Sequence, residues 1–194
     1  IQSLVQWATA FGIGCGSGGD ASIKQKLRAV LSCGKPAVID ADGLNNLDDE
    51  LKKLLSLRHV LTPHPGEMAR LTGKSIEDVL RDPAGFAENT AKAFGCIVLL
   101  KGAVSVAAHP DGRLRYNASG NPGLAKGGSG DVLTGIITAL LAQGLEPFDA
   151  ASAGAYILGS SAESALELLH ERALTAGDVL DAIEKTAGIT EHRN

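Results

Sequence analysis

Short apolar runs alternate with helix-spaced apolar positions through the first half of the chain. Ala8-Thr9-Ala10-Phe11-Gly12 reads as a short buried strand running into a glycine-rich stretch. Asp20 marks a helix start, and Ile23, Leu27, Val30 and Leu31 recur at helical spacing to about Leu31. Ala37-Val38-Ile39-Asp40 is a second strand, closed by the turn Asp40-Ala41-Asp42-Gly43, and a helix is expected near Asp48 to Leu57. His59-Val60-Leu61-Thr62 forms the third strand. It stops at Pro63-His64-Pro65-Gly66, and Glu67 opens the next helix. A helix around Ala84 to Phe94 leads into a fourth strand, Cys96 to Lys101.

The pattern then changes. Val104 to Ala108 and Arg113 to Tyr116 flank His109-Pro110-Asp111-Gly112, a hairpin signature. A second glycine-rich stretch feeds a long apolar helix, Asp131 to Gln143, ended by Gly144 and Pro147. Further helices are expected from about Asp149 to His170 and near Ala176 to Lys185, as a solvated flank. Four strand–helix alternations, a hairpin and a helical tail predict an α/β layer fold with a mostly parallel sheet. Such sheets gather ligands at the carboxyl ends of their strands. The unusual loops, at 12–19, 40–43, 63–66 and 101–102, all follow predicted strands.

Composition narrows the chemistry. The 18 basic and 22 acidic residues give a net charge of −4, which offers no electrostatic footprint for nucleic acid. Cys15, Cys33 and Cys96 lack metal-finger or disulfide-framework spacing and read as reduced cysteines in a cytosolic protein. The first residues lack a signal-peptide pattern, and no apolar run reaches the roughly 20 residues a membrane span needs. The chain has 24 glycines but only seven aromatic residues (one Trp, two Tyr and four Phe). Gly12, Gly14, Gly16, Gly18 and Gly19 crowd one window; Gly120, Gly123, Gly127, Gly128 and Gly130 crowd another.

The second window carries the strongest chemical signal. Gly127, Gly128 and Gly130 lie where a helix begins, so unpaired amides and the helix dipole favour a phosphate there. Asp131, in the first turn, can take a proton from a hydroxyl attacking that phosphate, or can simply cap the helix. The first window contains Gly14-Cys15-Gly16-Ser17-Gly18-Gly19, a G-x-G-x-x-G, with Asp40 about 20 residues further on. Alone, that would suggest a nicotinamide or flavin oxidoreductase. It leaves the second window, the Pro63–Glu67 loop and the hairpin without roles. Gly73-Lys74-Ser75 lacks the leading glycine of a P-loop, and Gly127 to Asp131 misses the nucleophile-elbow pattern by one residue. His64, stiffened between prolines, is either a ligand-positioning residue or a loop histidine without a role. The remaining histidines, at 59, 109, 170 and 192, have no companion at metal-ligand spacing. Asp40 and Asp42 either cap a turn, the commoner role, or hold magnesium through water.

Taken in order, Gly12-Ile13-Gly14-Cys15-Gly16, Val38-Ile39-Asp40-Ala41-Asp42-Gly43, Leu61-Thr62-Pro63-His64-Pro65-Gly66-Glu67, Leu100-Lys101-Gly102-Ala103 and Asn121-Pro122-Gly123 through Asp131 resemble a known family. It is the ADP-dependent NAD(P)H-hydrate dehydratases, the carbohydrate-kinase-like domain of the YjeF type in the ribokinase superfamily. The resemblance covers nearly all of the chain. It implies a ribokinase-like three-layer α/β/α fold in one domain, residues 1–194. Members also carry a further N-terminal segment, so the chain is expected to be the C-terminal major part of that domain.

The resemblance implies phosphorylation of a hydrated nicotinamide nucleotide on its ring hydroxyl, with loss of phosphate regenerating NADH or NADPH. Asp131 would be the base, and Gly127, Gly128 and Gly130 the anion hole. Gly14, His64 and Asp131 would contact substrate. Lys101, Gly102, Ala103, Val104, Ser105 and Gly130 would hold the nucleotide. The implied co-substrate is ADP, or ATP, with Mg2+; the implied assembly is a homo-oligomer, a tetramer by analogy. A cytoplasmic enzyme with no nucleic-acid or membrane partner is expected. Family members usually have Gly-Pro-Gly-Leu-Gly where Ile13 and Cys15 stand here. A small-molecule kinase for a vitamin precursor or sugar, using the same anion hole and base, is the alternative.

Overall fold

The computed structural model describes residues 2–18, 21–167 and 170–186. The expected helix start at Asp20, the last glycine of the first window, Gly19, and His192 lie outside them.

Helix α1 (Gln2–Trp7) precedes strand β1 (Phe11–Ile13); helix α2 (Ala21–Ser32) leads to β2 (Ala37–Ile39). Next come the short helices α3 (Asp42–Asn45) and α4 (Asp49–Lys52), then β3 (His59–Leu61). Helices α5 (Pro65–Thr72), α6 (Ile76–Arg81) and α7 (Pro83–Phe94) connect to β4 (Ile97–Leu100). The hairpin β5 (Ser105–Ala108) and β6 (Leu114–Asn117) is followed by a 3-10 turn at Pro122–Leu124. Helices α8 (Ser129–Ala142), α9 (Pro147–Ala165) and α10 (Ala176–Thr186) end the described chain.

The six strands lie in sequence order, β1 to β4 parallel and β4 to β6 antiparallel. Each parallel step moves to the next neighbour in the same direction. Right-handed crossovers then place every connecting helix on one face of the sheet. The packing agrees. Ile23 and Leu27 of α2, Met68 of α5 and Ala91 of α7 share one core with Ala37, Ile39, Leu61 and Val98. The opposite face, Val38, Val60, Ile97 and Leu99, would be bare without the C-terminal helices. Leu133 and Ile137 of α8 and Ala151 and Leu158 of α9 cover it, and Val179 of α10 packs into the same core from outside. The expected solvated flank is therefore a third layer with a buried inner face, although most of α10 is not buried. Its polar positions misled the sequence reading because Ala, Gly and Ser on α9 pack closely without a conspicuous apolar stripe.

Local chemistry explains the elements that periodicity missed. Helix α1 ends under Lys35, whose ammonium donates to the carbonyls of Val5 and Gln6 at 2.7 and 3.0 Å. Asp48 caps α4 through the amide of Leu51 at 3.1 Å, but that helix stops at Lys52 rather than near Leu57. Ser75 caps α6 by accepting from the Asp78 amide at 3.1 Å.

Candidate active site

The carboxyl ends of β1 to β4 meet the amino end of α8, and the site is built there. Asp40 directly follows strand β2, and its side chain is only 2% exposed. Lys101, following β4, donates from its ammonium to Asp40 Oδ1 at 2.8 Å. Thr134 of α8 donates to Asp40 Oδ2 at 3.1 Å. A buried carboxylate is thereby satisfied by partners from two other elements, as burial of a charge requires. The Asp40 side chain caps no turn here; each of its oxygens is engaged by a side chain from another element. Asp42 begins α3 and accepts from the amide of Gly18 at 2.8 Å, tying the first glycine window to this corner. Between them Ala41 sits at φ 46°, a strained conformation for a residue with a Cβ.

Gly14 follows β1 at φ 121°, and a Cβ there would lie 1.8 Å from the carbonyl oxygen of Asp40. Its neighbour Cys15 places its thiol within 4.8 Å of the Asp131 carboxylate. Burial pushes the Cys15 thiol up to about 11, aided by the Asp131 hydrogen bond and the Asp40 charge and opposed by the Thr134 hydroxyl. It is a protonated donor, not a reactive thiolate. Ligating atoms of Cys15, Asp40 and Asp131 lie within 4.8 Å of one another.

The second glycine window is held, not loose. Asn121 caps the 3-10 turn by accepting from Gly123 at 2.9 Å. The Lys126 ammonium is spent on the carbonyls of Arg172 and Leu174, at 2.7 and 2.8 Å. Gly128, at φ 94°, is the N-cap of α8, so Ser129, Gly130 and Asp131 form its first turn. Their amides have no intrahelical acceptor, the condition for an anion site, and the turn lies beside the residues that follow β2 and β4. A Cβ on Gly130 would sit 3.2 Å from Asp40 Oδ2 and 3.4 Å from Lys101 Nζ, so the ammonium lies directly against this turn. Asp131 is exposed on it.

His64 stands on the next loop. Its Nδ1 accepts from the amides of Gly66 and Glu67 at 3.0 and 3.3 Å, while its own amide donates to Glu67 Oε2 at 2.8 Å. It is the N-cap of α5, in a reciprocal capping box. Accepting at Nδ1 leaves the neutral ring's proton on Nε2, and the side chain is half exposed. Pro63 O accepts from the Lys101 amide at 2.8 Å, which joins this loop to the β4 end. Gly102, Ala103 and Val104 are exposed on the β4–β5 connection, with Ser105 half-buried at its far side.

The sequence-predicted residues Gly14, Asp131, Gly130 and Lys101 thus converge, with Gly127 and Gly128 leading into the same helix start. His64 and the 102–105 loop flank them. Sequence reading missed Thr134 and the Asp40–Lys101 pair. Thr134 was visible only as one of two threonines, with Thr138, beyond Asp131 in an apolar helix. Beside this cluster, a cavity of about 540 Å³ opens between β1 and α8, lined among others by Gly12, Gly14, Cys15, Asp131, Thr134 and Gly135. Its size suits a small-molecule ligand.

The arrangement is a phosphate-favouring helix start with a fixed cation, an exposed carboxylate and an adjoining cavity. A family model described as NAD(P)H-hydrate dehydratase matches residues 2–185. The chain is 48% identical over 148 residues to the bifunctional NAD(P)H-hydrate repair enzyme of Moorella thermoacetica, covering 75% of this chain and 28% of that protein. It is 42% identical over 188 residues to the ADP-dependent (S)-NAD(P)H-hydrate dehydratase of Neisseria meningitidis serogroup B, covering 93% of this chain and 62% of the relative. It therefore spans less than two thirds of these curated relatives. The crystal structure of the Bacillus subtilis ADP/ATP-dependent NAD(P)H-hydrate dehydratase, co-crystallised with ATP and Mg2+ and soaked with CoA, superposes with a TM-score of 0.83 at 31% identity. The match covers 94% of this chain and 67% of that one. The ribokinase-like three-layer fold expected from the sequence is borne out.

Proposed function

The chain belongs to the NAD(P)H-hydrate dehydratase family, and from that premise we propose that it restores hydrated NADH or NADPH at the expense of ADP. The hydrate hydroxyl gives its proton to Asp131 as its oxygen attacks the terminal phosphorus of ADP, and AMP leaves. The resulting ester then breaks its ring carbon–oxygen bond. The ring-nitrogen lone pair drives phosphate out, and loss of the neighbouring ring proton restores the dihydronicotinamide. Nothing is oxidised or reduced overall.

One observation carries this reading: Asp131 and the first-turn amides of α8 share a helix start with Lys101 Nζ, which lies 3.4 Å from the Gly130 Cβ position. Gly127, Gly128 and Gly130 would accept the charge developing on the phosphoryl oxygens, where preorganised amides act most strongly. The residues Lys101 to Ser105 would hold the rest of the nucleotide, and Gly14 and His64 would meet the nicotinamide. For His64, whose Nδ1 is committed to the α5 amides, the group available is the half-exposed Nε2 edge, which lies 3.5 Å from Glu67 Oε1.

The donors present fit a magnesium ion brought in with the nucleotide, not one caged by protein. Asp40 is already engaged by Lys101 and Thr134, which leaves Asp131 as the carboxylate of the cluster without a cationic partner among the described residues. Magnesium in phosphoryl-transfer sites is commonly held by one or two carboxylates, phosphates and water. When bound, it would shield charge on the phosphate oxygens. Among the described residues no helix is long and apolar enough to cross a membrane. Separately, by family likeness, the proposed enzyme is a cytoplasmic homo-oligomer acting on small molecules.

The test adds ADP to hydrated NADH and follows the return of NADH absorbance. Wild-type protein should restore it; Asp131→Asn should lose at least about a hundredfold in kcat, as removal of a general base does, while still binding ADP. Undiminished turnover in the variant would refute Asp131 as base. A stable phosphate ester of another small molecule, without NADH recovery, would mark the protein as a kinase instead.

A further inference from the structure

Lys101 does not reach the first turn of α8 unaided. Its side chain is a flexible four-carbon stem, and it is 21% exposed beside a carboxylate that is 2% exposed. Asp40 holds the ammonium with one oxygen and is itself held by Thr134 through the other. The three residues are 61 and 94 positions apart, measured from Asp40, and come from the ends of two strands and from α8. The ammonium has three protons, and Asp40 takes one. It rests against Gly130, where any side chain would press on both Lys101 Nζ and Asp40 Oδ2.

The geometry points to Asp40 as a positioning residue that pins Lys101 over the α8 amides, with Thr134 as its anchor, so that ammonium and amides form one phosphate-binding surface. The inference rests on the nucleotide reading above. The pair also settles a charge problem. Asp40 and Asp131 lie within 4.8 Å of each other, and two unshielded carboxylates there would repel the phosphate. With Lys101 bound to Asp40, that charge is cancelled where the phosphate must approach. Asp40 acts through Lys101 and touches no reacting atom.

The experiment is a double-mutant cycle on ADP binding, read by titration calorimetry, with thermal melts of each variant alongside. Lys101→Met should weaken ADP by about tenfold or more, the worth of one charged hydrogen bond to phosphate. Asp40→Asn, which keeps the shape, should weaken ADP severalfold. In the Lys101→Met background the same change should matter by less than about twofold, because its effect passes through the lysine. Thr134→Val should resemble Asp40→Asn, and Thr134→Ser should restore affinity. Independent, multiplying effects of the two substitutions would overturn the inference. So would a melting-temperature loss in Asp40→Asn with unchanged ADP affinity, the mark of a purely structural clasp. Tighter ADP binding in Asp40→Asn would mean that the carboxylate only repels, and would also overturn it. If wild-type protein binds no ADP, the nucleotide reading fails and takes this inference with it.

Discussion

Gly14 shows how one residue can be recognised in the sequence for an incomplete reason. Its motif suggested contact with a nucleotide or substrate. The structure adds a stricter demand: the backbone crosses that of Asp40 so closely that a Cβ would lie 1.8 Å from the carbonyl oxygen, at φ 121°. Gly14→Ala should therefore destabilise the protein by about 3 kcal/mol or more, through overpacking and backbone strain together. Urea unfolding measures this, and wild-type stability in the variant would contradict the crossing. The same crossing sets where Asp40 points, since the Gly43 amide donates to that carbonyl at 2.8 Å. His64 was legible as a fixed histidine, but not as an N-cap, because histidine is seldom one. Cys15 gave no signal at all. Its partner Asp131 is distant in sequence, and only folding brings the thiol to the carboxylate.

At the scale of elements, strands and long helices were readable wherever a pattern ran long enough. All six strands and the helices α2, α7, α8 and α10 stand close to their expected places. The four-residue helices α3 and α4 span about one turn each, too short for periodicity to declare itself. Strand β3 carries a device of its own. His59 opens it, fully buried, with Nδ1 accepting from the Ser56 amide at 3.0 Å and Nε2 without a partner. Burial, with a smaller contribution from the Arg58 charge, pushes its pKa down to about 4. Above its ordinary value of 6.5 the histidine is neutral in both folded and unfolded chains. Below that, the unfolded chain takes up a proton that the native strand refuses until about pH 4, so stability falls across this window. Relative to His59→Leu, wild-type protein should lose about 2 kcal/mol between pH 7 and pH 5. Urea unfolding of both proteins at the two pH values checks it, and a constant difference would show that His59 does not titrate as its burial requires.

For the whole molecule, the site lies where the sheet and the second layer of helices meet, so a ligand there bridges parts that unfolding separates. ADP at a hundred times its dissociation constant should add about 2.7 kcal/mol to stability, which for a domain of this size raises the melting temperature by about 5–10 °C. Scanning calorimetry with and without ADP measures the shift. Its absence at saturating nucleotide would mean that ADP binds the unfolded chain equally well. The amino-acid sequence by itself determined the order of strands and helices and the sheet's mostly parallel character. It also determined the glycine-led helix start with its aspartate, because turn chemistry, apolar periodicity and helix-end electrostatics act over a few neighbouring residues. Only the tertiary structure decided that the C-terminal helices pack as a third layer on the sheet. The same is true of the joining of Asp40, Lys101 and Thr134 around one buried carboxylate, and of the thiol that faces Asp131. Those pairings span dozens of residues, and no local pattern encodes them. They arise when right-handed crossovers bring the strand ends together and burial obliges each charge to find a partner.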